Sequence, residues 1–78
     1  MGLNFKLDGD TFEDLDPEIR FSSFNKMAFV DRIKRERPEE VVVHFDGSPS
    51  GMMLMMTLAS EVGYYANVEG TKAVFERV

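Results

Sequence analysis

The chain has no cysteine and no tryptophan, and only one histidine and three prolines in 78 residues. Without sulfur nucleophiles it has no thiolate catalysis, persulfide carriage, disulfide, Cys-ligated zinc or iron–sulfur cluster. The lone His44 excludes a multi-histidine metal site. No run approaches the roughly 18 apolar residues of a membrane-spanning helix. The start Met1, Gly2, Leu3, Asn4, Phe5, Lys6 lacks the basic and apolar regions of a secretion signal. These absences predict a cytoplasmic protein without cofactor, metal or membrane contact.

What is present is the composition of an ordinary folded domain, 44% hydrophobic and 29% charged. The length predicts a single domain over residues 1–78 and leaves no room for two lobes around a substrate, which argues against an enzyme. Cores below about 80 residues yield only a few kcal/mol, so small proteins often add self-association.

The net charge of −5 is unevenly distributed. Residues 1–18 hold six acids against Lys6, a net of −5; residues 19–37 hold six bases against Asp31 and Glu36, a net of +4; residues 38–78 hold six acids against Lys72 and Arg77, a net of −4. The basic segment is expected to lie against acidic loops of the same chain. A nucleic-acid binder of this size is usually basic overall, so none is expected as a partner. An acidic surface that occupies a basic partner fits residues 1–18 better, on composition alone.

Leu3, Phe5 and Leu7 alternate with polar residues, the pattern of a half-buried strand ended by Gly9. Thr11 and Asp14 fit a capping box, which predicts a helical turn over 12–15 before Pro17. Ile19 and Phe21 fit a short extended piece. Ser22 or Ser23 then caps a helix whose apolar positions are Met27, Phe29, Val30 and Ile33, with Lys26, Arg32, Arg35 and Glu36 opposite, ending at Arg37 before Pro38. Residues 41–45, Val-Val-Val-His-Phe, read as a central strand. Ser48 as N-cap, Pro49 at the first turn and Gly63 as the stop bound a helix over Pro49–Val62. The runs 64–68 and 71–75 around Glu69 and Gly70 read as a hairpin. The fold expected is α+β, a two-layer α/β sandwich of order β-α-β-α-β-β, with two helices on one face of a four-stranded mixed sheet and an irregular acidic insertion after the first strand.

The second helix is the most unusual segment. Four of the six methionines fall in five consecutive positions, Met52, Met53, Met55 and Met56, and the apolar residues surround the wheel. A helix resting on a sheet buries one stripe, so some of these flexible thioethers face outward and mark a surface for self-association or a protein partner. The competing reading is that the N-terminal insertion covers them. A second candidate is the loop Asp46, Gly47, Ser48, Pro49, Ser50, Gly51, at the carboxyl end of the central strand and the start of a helix, where α/β proteins bind anions. Asp46, Ser48, Ser50 and Gly51 would line it. Asp46 opposes phosphate, the loop lacks a P-loop lysine, and Ser48 and Ser50 equally suit capping.

His44 with Asp46 would form an acid–base pair, but no nucleophile stands out beside it, which favours a structural histidine and no catalytic residue. The acidic run 8–16 fails the calcium-loop pattern, because Phe12 stands at a ligand position, Glu13 where glycine is required and Ile19 where the terminal glutamate belongs.

The element order, with the 41–45 strand, the Ser48–Pro49 helix start, Gly63 and the final hairpin, resembles the TusA and SirA-like sulfur-carrier family. The family's Cys-Pro-x-Pro is absent, with Asp16, Pro17, Glu18 or Ser22, Ser23 in the corresponding region. The resemblance therefore implies the fold and a docking surface, without persulfide transfer. A serine near the start of the helix after the central strand is also similar to the STAS regulatory domain. The reading is a small non-enzymatic interaction or regulatory module acting through the Met-rich helix, or alternatively a small anion or metabolite binder, related to sulfur relay, acting through the 46–51 loop.

Overall fold

A computed structural model describes residues 2–8, 11–14 and 23–78. The elements are β1 (Gly2–Asp8), β2 (Thr11–Asp14), β3 (Ser23–Asn25), α1 (Lys26–Glu36), β4 (Glu40–His44), α2 (Pro49–Val62), β5 (Tyr64–Glu69) and β6 (Lys72–Arg77). They form an α+β fold with an open mixed sheet of order β3-β2-β1-β4-β6-β5. β1 and β4 pair in parallel and every other ladder is antiparallel.

The sheet has six strands rather than the four expected, and the N-terminal segment accounts for the difference. Thr11–Asp14 is a strand, not a helical turn, paired with β1 so that Leu7 faces Phe12 and Phe5 faces Asp14. A single local capping signal is outweighed by a whole ladder of non-local hydrogen bonds, and Phe12 is fully buried as the result. Ser23 lies in β3 rather than capping the helix, which starts at Lys26. The readings placed on Gly9, Leu15, Pro17, Ile19, Phe21 and Ser22 fall outside the described residues.

β4 is central, as its apolar run predicts, but only Val41 and Val43 are buried, while Glu40 and His44 are exposed. Alternation of this kind puts the core on one face of the sheet and, among the described residues, leaves the other without a covering element. Both helices pack on the covered face, around a single apolar cluster. At its centre Phe29 of α1 stacks on Phe12 with ring centroids 4.3 Å apart and meets the edges of Phe5 and Phe75. Each such pair contributes roughly 1 kcal/mol beyond the area that it buries.

α1 presents Phe29, Arg32 and Ile33 to the core, leaving Met27 exposed and Val30 half-buried. The inward stripe is thus rotated from the expected Met27–Val30–Ile33 line, and Arg32, expected outside, is buried. Its guanidinium pairs with Asp14 of β2 and Glu36 of its own helix and lies 5.4 Å from the Phe5 ring centroid. The acidic N-terminal segment and the basic helix therefore do meet, through one buried ion pair. α1 ends at Glu36 because Arg37 turns into the left-handed region, φ 48°, ahead of Pro38.

α2 has the ends its sequence specifies. The Ser48 hydroxyl accepts from the Gly51 N–H at 3.1 Å, Pro49 opens the first turn, and Gly63 at φ 75° closes the last. Gly51 admits no side chain, since a Cβ there would lie 2.6 Å from the Phe45 ring. Among the described residues no helix is long and apolar enough to cross a membrane.

Candidate functional site

The four methionines of α2 divide according to the helical wheel. Met55 is fully buried with Leu58, Ala59 and Val62, whereas Met53, Met56 and Met52 are 71%, 61% and 41% exposed. Met55 is accordingly a core residue and takes no part in a surface, because it stands on the stripe of α2 that faces the sheet. Met27 of α1, placed by the sequence on the apolar stripe, is 80% exposed and joins the outer surface instead.

Between the two helices runs a groove of about 480 Å³. Half-buried Val30 and Leu54 and buried Leu58 give it apolar walls, Met27 stands at its rim, and Lys26, Lys34, Asp31 and Glu61 supply charges of both signs. Strand directions fix its shape. β3, β4 and β5 point the same way, so α1 and α2, each returning from one of these to the next, run parallel on the covered face. From Lys26 to Lys34 the groove extends eight residues, about 12 Å at the helical rise. The exposed Thr57 hydroxyl donates to the Met53 carbonyl at 2.8 Å.

The residues chosen in the 46–51 loop do come together. Asp46, Ser48, Ser50 and Gly51 line one cleft of about 390 Å³ with Leu7, Asp8 and Leu54. Its polar groups are engaged with one another. The Ser48 N–H donates to Asp46 at 2.9 Å, the Gly51 N–H to the Ser48 hydroxyl, and the Met52 N–H to the Ser48 carbonyl. Hydrogen bonds from the Ser48 N–H and hydroxyl hold the Asp46 carboxyl below its ordinary pKa, so it is anionic at neutral pH. With Asp8 at the same cleft, the geometry is that of a capping turn with negative character, and it offers an anion few free donors.

His44 is exposed on the bare face of the sheet, directly between Lys6 of β1 and Lys72 of β6. It shares a shallow recess of about 270 Å³ with Lys6 and Asp46. Among the described residues no serine or threonine lines that recess. Among the described residues no group of three His, Asp or Glu side chains is placed to hold a metal ion. Asp14, one of the acids weighed for calcium, is spent on Arg32.

Sequence reasoning missed the contribution of α1 to the outer surface. The signal was present, since Met27, Val30 and Lys34 recur at helical spacing, but choosing which of two apolar stripes faces inward required knowing that Arg32 has a buried partner. Compared with family models, curated proteins and solved structures, the chain matches none.

Proposed function

We propose that the protein is a non-enzymatic interaction module whose helical layer docks the apolar face of a helix supplied by a partner protein. The observation that carries this reading is the apolar groove between two parallel helices, with exposed Met27 among its lining residues, beside an outer face of α2 on which Met53 and Met56 are exposed. Thioether side chains are flexible and polarizable, and they repack against different apolar surfaces at little cost. A groove of two turns' length between parallel helices suits residues at i, i+3, i+4 and i+7 of an incoming helix. Its rim charges, Lys26 and Lys34 against Asp31 and Glu61, suit a partner helix with charges of both signs along its flanks. The alternative reading, an anion or sulfur-relay site at the 46–51 loop, is not favoured by the internal hydrogen bonding of that loop.

The test uses methyl-labelled methionine and a Leu/Lys amphipathic helical peptide as probe. The expected result is a saturable shift of the Met27, Met53 and Met56 methyl signals, with the Met55 signal unmoved. Met27→Glu should leave the fold intact and abolish the shift, whereas Met55→Glu should unfold the chain, since it buries an unpaired charge. If both exchanges unfold the protein, or no methyl signal responds, the reading fails. Concentration-dependent shifts of the same methyls without peptide would show that a second copy is the occupant.

A further inference from the structure

The two edges of the sheet are unlike. β3 offers three residues and leads directly into α1, whereas β5 offers six, paired with β6 in unbroken register from Tyr64 to Glu69. Natural sheets blunt an open edge with proline, lysine, a bulge or a covering strand or loop. β5, Tyr-Tyr-Ala-Asn-Val-Glu, has none of the first three, and among the described residues no strand pairs with its outer side.

Which of its backbone groups are free follows from the hairpin. Glu69 and Lys72 flank a two-residue turn, Gly70 and Thr71, so they form a hydrogen-bonded pair, and Asn67 with Val74 and Tyr65 with Glu76 follow by alternation. The β6 residues between them turn the other way, as the Arg77 N–H does in donating to the Glu39 carbonyl ahead of β4. Tyr64, Ala66 and Val68 therefore point their N–H and C=O groups out of the sheet.

We infer that β5 pairs with β5 of a second copy of the chain, antiparallel about a two-fold axis that stands perpendicular to the sheet between the two Ala66 residues. In that register Ala66 meets itself and Tyr64 meets Val68 of the second copy in both directions, and these pairs exchange about six hydrogen bonds. Side chains stay in phase. Buried Tyr64 and half-buried Ala66 and Val68 remain on the covered face, while Tyr65 comes beside Asn67 of the second copy on the other.

What selects a second copy over another extended chain is the flank of α2 that overlooks this edge. α1 packs over β2 and β3 and α2 over β5 and β6, so the side of α2 turned from α1 lies toward the open edge. Leu54, Thr57 and Glu61 face the groove beside α1, and Met55, Ala59 and Val62 face the sheet, which leaves Met52 and Met56 on that side of the wheel. Both are exposed. Counted from Gly63, Met56 lies seven residues back along the helix and Ala66 three residues on along the strand, each a rise of about 10 Å. Met56 thus stands level with the axis. The rotation that joins the strands also carries Met56 to Met56 of the second copy, an apolar contact that a lone peptide strand would leave open. The surface is separate from the groove between the helices, and the inference does not depend on docking there.

Sedimentation equilibrium tests it with Ala66→Pro and Met56→Glu. The wild type should be dimeric at tens of micromolar. Proline at 66 removes an outward N–H that the single chain does not use, a place where edge strands tolerate it, so circular dichroism should be unchanged and the dimer at least about tenfold weaker. Met56→Glu alters only an exposed side chain and should weaken the dimer likewise, which decides the matter should the proline variant not fold. Amide exchange reads the register: the N–H groups of Ala66 and Val68 should slow as concentration rises, while those of Tyr65 and Asn67, bonded to β6, should not depend on it. Since the chain has no cysteine, Met56→Cys and Met27→Cys each introduce a single thiol. A short bismaleimide should join Met56→Cys chains in pairs and leave Met27→Cys chains single. A wild type that is monomeric at millimolar concentration, a dimer that Met56→Glu leaves intact, or cross-linking through Met27→Cys in place of Met56→Cys would each overturn the inference.

Discussion

Arg32 is a full charge placed among phenylalanines, and its place there depends on Asp14 of β2, which shares the covered face of the sheet with Phe5. Removing one member of a buried ion pair costs about 3–5 kcal/mol, since the survivor keeps its charge in a medium that solvates it poorly. Asp14→Leu should fall at the lower end, about 3 kcal/mol, because Glu36 stays at 2.9 Å from the guanidinium Nε. Urea denaturation reads the loss, and adding Arg32→Met to Asp14→Leu should recover most of it. Recovery is expected because two apolar side chains of similar volume fill the site without a desolvated charge. Tyr64 gives a second, pH-dependent case. Its hydroxyl donates to the Pro38 carbonyl, and the Arg37 guanidinium carbon lies 4.9 Å from its ring centroid. Burial raises its pKa above 10, against the pull of Arg37 and Arg77. A raised pKa in the folded state means that this contribution is complete below pH 10 and is lost as pH rises through the folded value. Thermal unfolding should therefore show a fall in Tm above pH 10 that Tyr64→Phe diminishes. An identical alkaline profile in the variant would assign the fall to other groups.

At the scale of single elements, α2 is held by its first turn. Phe45 leaves β4 and lies against Gly51, whose missing side chain lets the helix start at that distance from the strand. Gly51→Ala would ordinarily favour a helix by up to 1 kcal/mol. Here the added methyl must displace an aromatic ring, an overpacking cost of about 1–3 kcal/mol, so the variant should be less stable in denaturant titration. This helix, the central strand and the final hairpin were legible because their signals are local: Ser48 and Pro49 at one end, Gly63 at the other, a valine run, and Gly70 in a turn at φ 59°. β2 and β3 were not, because their hydrogen-bond partners lie elsewhere in the chain and Thr11 with Asp14 imitates a helix start. The orientation of α1 was illegible for a related reason. A wheel places arginine outside by default, and only the pairing of Phe5 with Asp14 across β1 and β2 reveals a carboxylate waiting inside. For the candidate surface, the sequence identified α2 and three of its outward methionines, while the contribution of Met27 depended on that same rotation.

The whole molecule divides along a seam. β1, β2, β3 and α1 form one half, β4, β5, β6 and α2 the other, and among strands only the parallel β1–β4 ladder crosses between them. β3 is a three-residue edge strand, whereas β4 and β6 are paired on both sides. Amide exchange should accordingly be slowest in β4 and β6 and at least about tenfold faster in β2 and β3, as expected for a unit that opens below the global free energy. Asp14→Leu should widen the gap by loosening the first half alone. Uniform loss of protection would mean that the two halves open together.

The seam also sets an order in time. Gly2 pairs with Glu40 and Lys6 with His44, so residues 2–6 of β1 wait for partners made 38 residues later. On a ribosome the first half would emerge with its hairpin strands but without the strand that anchors them. The seam closes only once β4 has been made, so β1 and the strands hung on it complete a sheet whose centre is supplied from later in the chain.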